Sequence, residues 1–146
     1  MAGRHFTQFM YTHEKQPVKL YALATGAGNA DMTLQYLTPA GTLTTAPTGG
    51  VKGIKSITYL AAAGKFRITL QDSYFRLLGL NIATLAVDGA TQPVAPNYQI
   101  FAQAVGTATG GTIDVWFYAP AGTVLTSPTS NSRLYIEITL SNSNTP

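Results

Sequence analysis

Apolar and polar residues alternate along most of this chain, and glycine or proline breaks the alternation at intervals of roughly 8 to 15 residues. A period of two belongs to a strand, because successive side chains of an extended backbone point to opposite faces. In Lys65-Phe66-Arg67-Ile68-Thr69-Leu70-Gln71, the side chains of Phe66, Ile68 and Leu70 fall on one face and the four polar residues on the other. That predicts a strand with one side on a core and one in water. Leu134, Ile136, Ile138 and Leu140 alternate in the same way with Tyr135, Glu137 and Thr139, as do Ile113, Val115 and Phe117 with Asp114, Trp116 and Tyr118. Further strands are predicted near 4–11, 18–24, 32–37, 55–60, 74–87 and 97–105. Turns are expected at Gly26 to Asn29, Gly49-Gly50, Ala63-Gly64, Asp88-Gly89, Pro93 to Asn97 and Gly110-Gly111. Ser73 to Val87 has a helical alternative through Tyr74, Leu77, Leu78 and Leu85, which Gly79 and the β-branched Ile82 and Thr84 weaken.

About nine short strands with regular turns imply an all-β, single-domain fold, an antiparallel β-sandwich or barrel of jelly-roll-like kind. Residues 1–17 are expected to form an N-terminal arm with a first strand, 18–140 the sandwich or barrel, and 141–146 a polar C-terminal tail. One internal echo stands out. Pro39-Ala40-Gly41-Thr42-Leu43-Thr44-Thr45-Ala46-Pro47-Thr48 matches Pro120-Ala121-Gly122-Thr123-Val124-Leu125-Thr126-Ser127-Pro128-Thr129 at most positions. Reuse of a good turn sequence and duplication both explain it: proline fixes the first corner and glycine takes the positive-φ position.

Composition narrows the function. Charged residues make up 10% of the 146, against about 25% in a typical soluble domain, which suits a rigid scaffold that covers its surface with partners. No cysteine is present, so disulfides, thiolate metal sites and cysteine nucleophiles are excluded. The opening residues lack the apolar core of a signal peptide, and no run approaches a membrane span of about 18 apolar residues; a soluble protein that stays in the producing cell is expected. Residues 1–76 carry eight basic residues against three acidic, a net of +5, and the remainder carries −2. Such asymmetry fits a basic docking face, and equally a few solvated lysines guarding strand edges.

The search for chemistry returns no constellation, and no catalytic residue, cofactor or metal is assigned. His5 and His13 are the only histidines; on one strand they would stand about 26 Å apart, without the close spacing of zinc ligands. No Gly-x-Ser-x-Gly elbow occurs, and six scattered acids give no glycosidase pair beyond chance. Gly26-Ala27-Gly28-Asn29-Ala30-Asp31 lacks the Lys-Ser/Thr of a phosphate loop and reads as a hairpin connection. Lys65-Phe66-Arg67 and Tyr74-Phe75-Arg76 interleave basic and aromatic residues as single-strand-binding sheets do. Alternation turns Phe66 away from its basic neighbours, however, so nucleic acid is not the expected partner.

Arg4-His5-Phe6-Thr7-Gln8-Phe9-Met10-Tyr11-Thr12, followed by Lys15-Gln16-Pro17-Val18, resembles the opening of a group of small virion proteins of tailed bacteriophages. Gly53-Ile54-Lys55 through Ile68-Thr69-Leu70-Gln71-Asp72-Ser73-Tyr74-Phe75-Arg76 is similar to a second segment of theirs. The likeness covers roughly the first 80 residues and carries no chemistry. It implies a structural protein of the particle, with a capsid decoration (cement) protein the natural candidate. Its partner would be the major capsid protein, its location the capsid surface after synthesis in the host cytoplasm, and its form a homo-oligomer, with a trimer favoured. Membrane is not an expected partner. Arg4, Phe6, Phe9 and Tyr11 are the expected contacts with capsid or neighbouring subunit, of the aromatic and Arg type enriched at interfaces; Phe6 and Phe9 would equally suit a core. Trp116 and Tyr118 alternate away from the core side of their strand and join them. The rival expectation is a tail-associated carbohydrate-binding or host-adhesion module, using exposed Trp and Tyr beside Asp114.

Overall fold

The computed structural model describes residues 17–47, 49–51, 53–86, 97–107, 110–122, 124–130 and 132–141. They form nine strands: β1 (Pro17–Thr25), β2 (Thr33–Leu37), β3 (Leu43–Thr45), β4 (Ile54–Tyr59), β5 (Lys65–Leu70), β6 (Arg76–Ala86), β7 (Asn97–Ala104), β8 (Thr112–Tyr118) and β9 (Ser132–Ser141). The strands make two antiparallel sheets, one in the order β3-β2-β1-β9-β6 and the other β4-β5-β8-β7. The fold is a single-domain β-sandwich.

Both central pairings join distant parts of the chain. β9 lies between β1 and β6, and β8 between β5 and β7, so each sheet is closed only when the second half of the chain returns. Pro17 stands directly opposite Ser141, which places the beginning of β1 and the end of β9 at the same end of the sandwich. On one flank the sheets are laced together by a bridge between Met32 and Ile57. On the other, β6 and β7 are the edge strands of the two sheets among the described residues, and a side chain links them. The Tyr98 hydroxyl donates to the Leu80 carbonyl (3.0 Å) and accepts from the Ile82 amide (3.2 Å). A hydroxyl bridge in place of a strand ladder makes this a sandwich and not a barrel.

The core follows the alternation. Leu134, Ile136, Ile138 and Leu140 of β9 face Phe66, Ile68 and Leu70 of β5 and Ile113, Val115 and Phe117 of β8, all of them buried. Phe66 and Phe117 meet edge-to-face at 5.7 Å, the arrangement aromatic quadrupoles prefer. The helical alternative for 73–87 is overturned: residues 76–86 form β6, each end of it registered against β9. Gly79, awkward in a helix, follows a bulge at Leu78 that keeps both sides of the strand in step with its partner. β3 is the outgoing strand to which the Pro39-Ala40-Gly41 turn leads, only three residues long. The strand expected near 4–11 and the turns at Asp88-Gly89 and 93–96 lie outside the described residues.

The two Pro-Ala-Gly echoes build the same corner. Gly41 donates to the Thr38 carbonyl and Gly122 to that of Ala119, and both glycines have positive φ, 82° and 86°. The first turn leads into β3, whereas the second is followed by a single bridge from Tyr118 to Leu125.

Candidate interaction surface

The outer face of the four-stranded sheet carries the most organised set of exposed side chains. Register places Lys65 of β5 opposite Trp116 of β8, and Arg67 opposite Asp114. Arg67 grips Asp114 with two parallel bonds, Nε to Oδ1 at 2.7 Å and Nη2 to Oδ2 at 2.9 Å, the bidentate fit peculiar to guanidinium and carboxylate. Those hydrogen bonds, and then the charge of Asp114, raise the Arg67 pKa above its ordinary value. Lys65 Nζ lies 4.1 Å from the centre of the Trp116 ring, within cation–π range. Phe101 of β7 stacks on the same ring, 4.0 Å away and 10° from parallel.

Because β5 and β7 flank β8 on opposite sides, Lys65 and Phe101 cover opposite faces of Trp116. The indole therefore stands clamped between a cation and an aromatic ring. Phe101 itself is 62% exposed and turns its outer side to solvent. It occupies a bulge, the one residue without a partner between Ile100 and Ala102.

The outer face of the five-stranded sheet is different. Tyr21 of β1 stacks on Tyr135 of β9, with ring centres 6.2 Å apart, and Lys19 bonds Glu137 at 3.0 Å across the same strands. That hydrogen bond is the main reason Lys19 holds its proton more tightly than an ordinary lysine. Beyond Leu23, β1 and β2 diverge, and the gap between them is a cleft of about 430 Å³ lined by Tyr21, Leu23, Tyr36, Leu37, Val51 and Tyr135 among others.

Of the residues expected to make contacts, Trp116 and Tyr118 lie on the outward face of β8, half-buried, and Arg4, Phe6, Phe9 and Tyr11 lie outside the described residues. Trp116 is not the open platform that a carbohydrate module would need. Phe101, Tyr21, Tyr135 and Leu37 were not anticipated. Phe101 is signalled only by its place among exposed positions of β7, and its contact with Trp116 depends on a bulge that alternation does not reveal. The glycine-rich 26–31 loop is a hairpin connection, as expected. The amides of Gly26 and Gly28 donate to the Ser132 and Pro128 carbonyls, and Asp31 accepts from the Tyr59 amide at 2.7 Å. No three metal-ligating side chains gather among the described residues; His5 and His13 lie outside them. Comparison with protein-family models, curated proteins and solved structures returns no match for this chain.

Proposed function

We propose that the protein is a structural component of a tailed-bacteriophage virion, a decoration (cement) protein that binds and stabilises the mature head shell. The observation that carries this reading is a pre-ordered outer sheet face. Lys65 and Phe101 pack against Trp116, and Arg67 is bonded to Asp114, so a partner would meet side chains already placed by their neighbours. The resemblance of the first 80 residues to phage virion proteins supports it, as does the scarcity of charge. A shell offers repeated symmetric sites, which favours a cyclic oligomer such as a trimer. Binding only the mature lattice would stabilise that lattice by mass action.

The decisive experiment is co-sedimentation with empty mature heads of the phage that encodes the chain. The expected result is saturable binding and an upward shift in the temperature at which heads open. Deletion of residues 1–11 is expected to abolish binding and leave the β circular dichroism spectrum unchanged. Heads that neither bind nor gain stability would sink the reading. In that event a glycan array tests the carbohydrate alternative, for which the open side of Phe101 is the platform available.

A further inference from the structure

The divergence of β1 from β2 leaves an unfilled strand position, and its polarity can be read from neighbouring bonds. Gly26 donates its amide to the carbonyl of Ser132, the first residue of β9, and β1 pairs with β9 in unbroken register. Alternation then aims the amides and carbonyls of Ala24, Ala22 and Leu20 at β9, and those of Leu23, Tyr21 and Lys19 at the opposite side. β2 meets only Leu23–Thr25 there. Among the described residues, Tyr21 and Lys19 therefore present a strand edge with no strand beside it, and the apolar cleft lies along that edge. Leu37 forms its far wall and is 62% exposed. A hydrogen-bonding edge beside an apolar cleft suits an extended peptide, which gains main-chain bonds along one side and buries alternate side chains.

We infer that the occupant is the N-terminal segment of a second copy of this chain, residues 6–11, so that neighbouring copies exchange arms. The segment carries Phe6, Phe9, Met10 and Tyr11, apolar enough to fill the cleft, and Phe9 and Tyr11 share one face of an extended chain. Its own edge is a poor target. Pro17 is the first of the odd positions that face the cleft side, and having no N–H it denies a hairpin back onto β1 the bond nearest its turn. A neighbour's edge is within reach: sixteen residues of the sequence precede β1, a length that would span about 50 Å if extended, against a radius of gyration of about 15 Å for a domain of this size. Closed exchange round a ring would cover every such cleft. The inference rests on the homo-oligomer of the proposed function.

Light scattering on the full-length chain tests it, with Leu37→Glu as the variant, since an exposed position tolerates the change. The expected result is a multiple of 15.5 kDa for the unaltered chain, and association weakened at least tenfold for Leu37→Glu with the circular dichroism spectrum retained. The absence of cysteine makes a second arm clean. Mixing Phe9→Cys chains with Leu37→Cys chains under mild oxidation is expected to give a disulfide-linked pair. A monomeric full-length chain, an unchanged mass for Leu37→Glu, or a Phe9→Cys/Leu37→Cys double variant that links only within itself would each overturn arm exchange. Head binding by a monomer would leave the decoration reading standing without arm exchange, and arm exchange without head binding would do the reverse.

Discussion

Gly64 turns the chain into β5 with φ near +73°, and its surroundings leave no room for a side chain. A Cβ there would stand 2.5 Å from the Phe117 carbonyl oxygen and 2.8 Å from the Thr126 amide. The residue is also tied at both ends: its amide donates to Ser127 Oγ at 2.8 Å, its carbonyl accepts from the Phe117 amide at 2.7 Å, and Ser127 Oγ in turn donates to Asn29. Gly122 has a similar φ of 86° with nothing near its missing Cβ. Alanine at either site incurs the left-handed conformational cost of about 1–2 kcal/mol, but only at Gly64 is a clash of about 1–3 kcal/mol added. In urea unfolding, Gly64→Ala is expected to lose about 2–5 kcal/mol and Gly122→Ala about 1–2 kcal/mol; equal losses would show that the contacts around Gly64 carry no weight. The sequence marks both glycines as turn residues. It cannot mark Gly64 as the one pressed against Phe117 and Thr126, because that pressure comes from segments more than fifty residues away.

At the level of the strand, β6 and β7 show where reading by period succeeds and where it stops. Alternation located both, yet the choice between strand and helix for 73–87 was decided by β9, whose ten residues supply the partner that Gly79 and the β-branched residues need. Bulges at Leu78 and Phe101 shift the alternation within each strand, so exposed and buried positions there cannot be counted from either end. The Tyr98 hydroxyl joins these edges, satisfying the Leu80 carbonyl and the Ile82 amide, which no strand among the described residues reaches. Tyr98→Phe keeps the ring packed against the core and removes both bonds. The expected cost is about 1–2 kcal/mol, accompanied by faster hydrogen exchange at the Ile82 amide than at Asn81, whose register partner is Glu137 of β9. Unchanged exchange at Ile82 would mean that the edge is held by something other than the hydroxyl.

At the scale of the whole molecule, the segment between β5 and β6 is one of the ties between the two sheets, and its buried tyrosine couples stability to alkaline pH. The Tyr74 amide donates to the Val105 carbonyl beside one sheet, and the Phe75 amide to Ser141 in the other, so this segment stitches sheet to sheet at the end where β1 begins. The Tyr74 ring is buried, 9% exposed. Burial, with a smaller push from the charge of Asp72, raises the pKa of its phenol above the usual 10. The unfolded chain then gives up this proton at about pH 10 while the folded chain still holds it. Stability from this group is therefore complete below pH 10 and falls as pH rises from there through the raised folded value. Lys19 acts in the same direction, its folded pKa being raised by Glu137, though its exposure lets solvent screen the pair. Unfolding midpoints measured from pH 8 to 11 should hold steady and then drop above 10, and Tyr74→Phe should flatten that drop while Lys19→Met changes it little. A drop that survives intact in Tyr74→Phe would place the alkaline weakness elsewhere and leave the crossover between the sheets indifferent to charge.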